Sequence, residues 1–111
     1  MAEKRDFRRY RKRLQLRYGT DKPSRLAYTE EIGHSGMFIR TASIFPPGTR
    51  LIIEITMTDN SLVRFSGMIR WSKSVSPNLM HLVKKSGLGI KIINFIAGED
   101  KYKKLVEELA G

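Results

Sequence analysis

The chain has 111 residues, 21 of them Lys or Arg against 11 Asp or Glu, for a formal charge of +10, and it contains two histidines and no cysteine. That length fits one domain with one core. The missing thiols exclude disulfides, thiol catalysis and cysteine-bound zinc, and His34 and His81 stand too far apart in sequence for a His-rich metal site. The basic balance favours an anionic partner: nucleic acid, nucleotide, an acidic protein face or an anionic membrane surface.

Eight Lys or Arg and only two acids, Glu3 and Asp6, fall between Met1 and Tyr18. Residues 1–13 read as a flexible basic arm in which Phe7 and Tyr10 interrupt the charges. No apolar stretch follows the arm, so it is not a secretory signal. No segment reaches the length of a membrane span either, and the expectation is a cytoplasmic protein without membrane insertion. Residues 14–111 are expected to form the folded unit.

From Leu14 the chain alternates. Leu14, Leu16 and Tyr18 line one face of a strand, opposite Arg13, Gln15 and Arg17. Gly19 to Pro23 is a turn by composition, and Ser24 to Ile32 is a second, more polar strand. Gly33-His34-Ser35-Gly36 breaks the chain before an apolar strand from Met37 to Thr41. Pro46-Pro47-Gly48 is a turn. Leu51, Ile53, Ile55 and Met57 then face one way. Asp59-Asn60 suits a hairpin turn that leads into Val63, Phe65, Gly67, Ile69 and Trp71, all expected in the core. Residues 72–86 form a long connection with its own apolar group, Leu79, Met80, Leu82 and Val83. These four, with Met68, either cap the barrel or present an apolar patch to a partner. Gly87 to Phe95 is the last strand, with Leu88, Ile90 and Ile92 on one face.

The period then changes. Tyr102, Leu105, Val106 and Leu109 form one helical stripe, and Glu99 and Asp100 occupy the first turn, where the helix dipole favours acids. About six short strands with Gly/Pro turns and one C-terminal helix predict an all-β fold: a small antiparallel barrel.

Two short patterns bear on function. Arg-x-x-x-Arg occurs as Arg5/Arg9, Arg9/Arg13 and Arg13/Arg17. Glu31-Ile32-Gly33-His34-Ser35-Gly36 precedes Met37-Phe38-Ile39. With Phe65-x-Gly67-x-Ile69-x-Trp71 and Gly87-Leu88-Gly89-Ile90-Lys91, these resemble the PilZ domain family. Its members are small bacterial six-stranded β-barrels that act as receptors for cyclic di-GMP, and the likeness covers nearly the whole chain. The family's first motif is Arg-x-x-x-Arg on the arm, its second arginine about seven residues before an inward residue of the first strand. Leu16 is that residue here, so the resemblance implies Arg5 and Arg9. Arg13 and Arg17 alternate with core positions and are expected on the solvent side of the wall. The second motif is Asp/Asn-x-Ser-x-x-Gly, which places Glu31, Gly33 and Gly36 at the ligand. Glu31 stands where the family has Asp or Asn, and Gly33 where it usually has Ser. Lys4, Arg8 and Ser35 are auxiliary positions.

The chemistry fits such a ligand. Arginine donates two parallel bonds to phosphate, or pairs with guanine O6 and N7. A carboxylate accepts from base N–H groups, and a glycine lets the ligand approach closely. The resemblance therefore implies a non-catalytic cyclic di-GMP receptor with no metal and no other cofactor, whose arm closes over the ligand and signals to a downstream protein partner. Two alternatives differ in kind. One is an adaptor of the same fold whose ligand site has decayed at Glu31 and Gly33. The other is a non-specific nucleic-acid binder, disfavoured because most aromatics fall at inward positions. No Ser/His/Asp set, carboxylate pair or phosphate loop appears at catalytic spacing, so an enzyme is not expected.

Overall fold

The computed structural model describes residues 8–74 and 86–111. Lys4, Arg5 and Phe7 of the arm, and Leu79, Met80, His81, Leu82 and Val83 of the long connection, lie outside the described residues. The elements are β1 (Tyr10–Arg11), β2 (Gln15–Gly19), β3 (Arg25–Ile32), β4 (Gly36–Arg40), β5 (Arg50–Thr56), β6 (Leu62–Lys73), β7 (Gly87–Ala97) and α1 (Glu99–Ala110).

Strands β2 to β7 close into a six-stranded antiparallel barrel. The order around the wall is β3, β2, β5, β6, β7, β4, and the β3–β4 pairing completes the ring. Closure leaves no free edge on the barrel proper. β1 and β2 lie end to end along one edge of β3, with Tyr10 opposite Ile32 and Gln15 opposite Tyr28. The last residues of the arm are thus already paired with the wall.

Thr29 bridges the gap between β1 and β2. It is 2% exposed, the one buried polar residue among the described residues, in a largely aliphatic core. Its hydroxyl donates to the Lys12 carbonyl at 2.6 Å and accepts from the Leu14 N–H at 2.8 Å. The Lys12 and Thr29 amides donate to Glu30 and Leu14 carbonyls, at 3.1 and 2.9 Å. Backbone groups that an interrupted ladder would strand are therefore satisfied.

The alternating apolar residues do what their period dictates. Leu14, Leu16, Tyr18, Leu51, Ile53, Ile55, Val63, Phe65, Ile69, Leu88 and Ile90 are buried in one cluster. Each such side chain contributes roughly 1.5–3 kcal/mol by leaving water. Asn60 sits at φ 70° in the β5–β6 turn, and Pro46 closes its own turn by accepting from Thr49. α1 follows β7 directly after Gly98 and lays Tyr102 and Val106 against the barrel.

Trp71 corrects the sequence expectation. It is 45% exposed and not in the core. The β6–β7 register shifts between Ile69 and Trp71, so Arg70 is an extra residue and the period is reset. A bulge of this kind turns every following side chain to the other face. Trp71 consequently lies on the outer wall, where its ring stacks on Phe38 with centroids 5.1 Å apart and planes 14° apart.

Candidate functional site

The turn between β3 and β4 is held from three sides. The Gly33 N–H donates to the Gly36 carbonyl and the Ile92 N–H to the Ser35 carbonyl, both at 2.9 Å. The Tyr102 hydroxyl, from α1, donates to the Gly33 carbonyl at 2.6 Å. Burial pushes the Tyr102 ionisation above its ordinary value of 10, partly opposed by the nearby Arg9 charge. The hydroxyl therefore stays a donor across the physiological range.

The arm crosses this turn. A Cβ on Gly33 would collide with the Arg8 carbonyl and come within 3.2 Å of Arg9 Cδ. A Cβ on Gly36 would collide with the Ile90 carbonyl and stand 3.3 Å from Arg9 Nη2. Arg9 thus lies across both glycines with its guanidinium over Gly36. Glycine is needed at both positions because the arm and β7 come this close.

Beside Arg9 opens a cleft of about 630 Å³ lined by Arg9, Ser35, Arg70, Trp71, Gly89, Ile90 and Lys91. Gly89 is paired with both Phe38 and Trp71. Lacking a side chain, it lets the indole lie flat on the wall: a Cβ there would collide with Trp71. Glu31 is opposite Arg11 on one side and Phe38 on the other. An outer row across five strands therefore reads Arg11, Glu31, Phe38, Gly89, Trp71. The cleft combines three cations with a half-exposed aromatic face, a set suited to phosphate and to a flat base.

Arg9, Ser35, Gly33 and Gly36 meet at one place, and Arg8 contributes its carbonyl there. Glu31 stands in the adjoining outer row and is not among the cleft's lining residues. Arg5 and Lys4 lie outside the described residues. Sequence reasoning missed Arg70, Trp71 and Lys91 as cleft residues, and Tyr102 as support for the turn. The one available signal was the Gly87-Leu88-Gly89 spacing, since glycine inside a strand marks a close approach.

Among the described residues no group of His, Asp or Glu is arranged to hold a metal ion, and no helix is long and apolar enough to cross a membrane. In fold the chain is similar to the Bacillus subtilis inhibitor of motility, MotI/DgrA, with a TM-score of 0.71 at 14% identity. That match covers 92% of this chain and 47% of the solved one, so the chain spans about half of its relative's length. No curated protein matches the sequence. The family model for the PilZ domain matches residues 3–110. With the closed barrel, the glycine turn and the arm arginine all in place, the chain belongs to the PilZ domain family.

Proposed function

We propose that the chain is a non-catalytic receptor for cyclic di-GMP, in which arm arginines clamp the ligand against the turn from Glu31 to Gly36. The observation that carries this reading is the position of Arg9. Its guanidinium lies over Gly36 at the mouth of a cleft that also offers Arg70, Lys91 and the Trp71 face. Phosphate would take the arginine forks, and a guanine would stack on the indole. Arg5, four residues earlier in sequence, would close on the second phosphate or base. Membership of the PilZ family supports the same ligand and argues against chemistry of the chain's own.

Calorimetric titration with cyclic di-GMP tests this. Saturable binding is expected, and Arg9→Ala should weaken it about ten- to hundredfold, the range for a lost charge-assisted bond of about 1.5–3 kcal/mol. No saturable heat at tens of micromolar, with wild type and variant alike, would sink the reading.

One observation favours a second reading, a PilZ-fold adaptor that no longer binds the ligand. At Gly33 the Arg8 carbonyl occupies the space that a family serine would fill. If that contact reflects a decayed site, Glu31→Asp combined with Gly33→Ser, with the arm displaced at Arg8 to admit the serine Cβ, should create binding that wild type lacks.

A further inference from the structure

We infer that the barrel carries a second recognition surface, a cationic cleft on the outer wall at β1, β3 and β4 that accepts an acidic peptide segment of a protein partner. The cleft is about 710 Å³ and is lined by Arg11, Lys12, Arg13, Tyr28, Thr29, Glu30 and Arg40. It shares no lining residue with the cleft at Arg9.

Three features fit it to carboxylates. First, among the described residues no carboxylate pairs with Arg11, Lys12 or Arg13. Glu31 stands opposite Arg11 on the wall without closing an ion pair to it, and the lining holds four cations, Arg11, Lys12, Arg13 and Arg40, against one carboxylate, Glu30. Second, the cleft is preorganised. The Arg13 guanidinium sits 4.2 Å from the centre of the Tyr28 ring, which orients it while its N–H edge remains available. The backbone beneath is pinned by the Thr29 hydroxyl to both Lys12 and Leu14. Preorganised donors lose less entropy on binding. Third, arginine forks match the planar geometry of a carboxylate.

The same features disfavour a nucleic acid. Glu30 forms part of the lining and faces Arg40 at 3.6 Å. Its negative charge opposes a continuous phosphodiester chain, whereas a peptide can turn an amide N–H or a basic side chain toward it. Arg13 already covers one face of Tyr28, so the cleft has no open ring on which bases could stack.

The inference does not rest on the dinucleotide reading, and its test contains no dinucleotide. The full chain is titrated against a fluorescent glutamate-rich peptide, read by anisotropy. Saturable, salt-sensitive binding is expected, with amide shifts in residues 11–13, 28–30 and 40. Arg11→Ala with Arg13→Ala should weaken binding about tenfold or more. Arg50→Ala with Lys104→Ala removes the same charge from elsewhere and should change it by less than about twofold. Equal losses in the two double variants would mean bulk charge alone and would overturn the inference. So would the absence of peptide binding, amide shifts confined to other faces in the wild type, or tighter binding of a single-stranded oligonucleotide of equal charge. The amide shifts keep the test decisive even if a variant folds poorly.

Discussion

Trp71, Phe38 and Gly89 show how much of the outer wall depends on one exposed side chain. Phe38 points away from the core, between inward Met37 and Ile39, yet is only 7% exposed because the indole stacks on it. Trp71→Ala would return the phenyl ring and the Gly89 backbone to water. The expected cost is about 1–3 kcal/mol, the range for one aromatic ring losing its cover. Trp71→Phe should recover most of it. Thermal denaturation of the two variants checks this, and an alanine variant as stable as wild type would show that the stack contributes nothing. Nothing near Trp71 in the sequence reveals its exposure. The strict alternation from Val63 to Ile69 continues to it, and only the tertiary register discloses the extra residue at Arg70. Arg9 was legible because its place on the arm could be counted back from the inward Leu16 across the short gap between β1 and β2. Arg70 and Lys91 were not, because their cleft forms only when β6 and β7 pair.

At the scale of elements, α1 is both a lid on the core and a brace for the turn. Its stripe and its acidic first turn were plain in the sequence. Its bond from Tyr102 to Gly33 was not, since it joins residues 69 apart. Tyr102→Phe leaves the Gly33 carbonyl without that donor and is expected to cost about 1–3 kcal/mol. It also carries a pH signature. The folded hydroxyl ionises above 10 because it is buried, whereas the unfolded one ionises near 10. Its stabilising contribution is thus complete below pH 10 and falls as pH rises beyond it. The melting temperature of wild type should drop more steeply in that window than that of the phenylalanine variant; parallel curves would contradict the assignment. The opposite end of the pH scale reads the β5–β6 turn. Hydrogen bonds from Ser61, side chain first and backbone second, and then Lys101 at 3.3 Å, hold the Asp59 carboxyl at about 2 against its ordinary 3.8. This contribution is present above the ordinary value and is lost as pH falls toward 2. The gap in melting temperature between wild type and Asp59→Asn should therefore be steady near neutrality and close as pH falls from about 4 to about 2. A gap that persists at the acid end would point to geometry, not charge.

For the whole molecule, ring closure decides how a local event is felt. Each of the six barrel strands has two neighbours in the ring, β3 carrying β1 as a third partner, and the outer row from Arg11 to Trp71 crosses five strands. A domain closed in this way is expected to unfold as one unit, so a ligand held at the turn stabilises every strand at once. At a free concentration one hundred times its dissociation constant, one bound ligand adds about 2.7 kcal/mol. For a domain of this size that corresponds to a rise of roughly 10–20 °C in melting temperature. Cyclic di-GMP should produce that shift in wild type. In Arg9→Ala, with affinity weakened about ten- to hundredfold, the shift at the same ligand concentration should fall to between about half and about one-sixth of the wild-type value, because the stabilisation follows the logarithm of ligand concentration over dissociation constant. The ligand-free melting temperature should barely move, because Arg9 is exposed and lies against glycines on the wall outside the core. The pair of measurements separates two faults that a titration alone confuses. A variant that binds poorly because it is misfolded melts low without ligand, and one that has lost only its clamp melts like wild type until the dinucleotide is added.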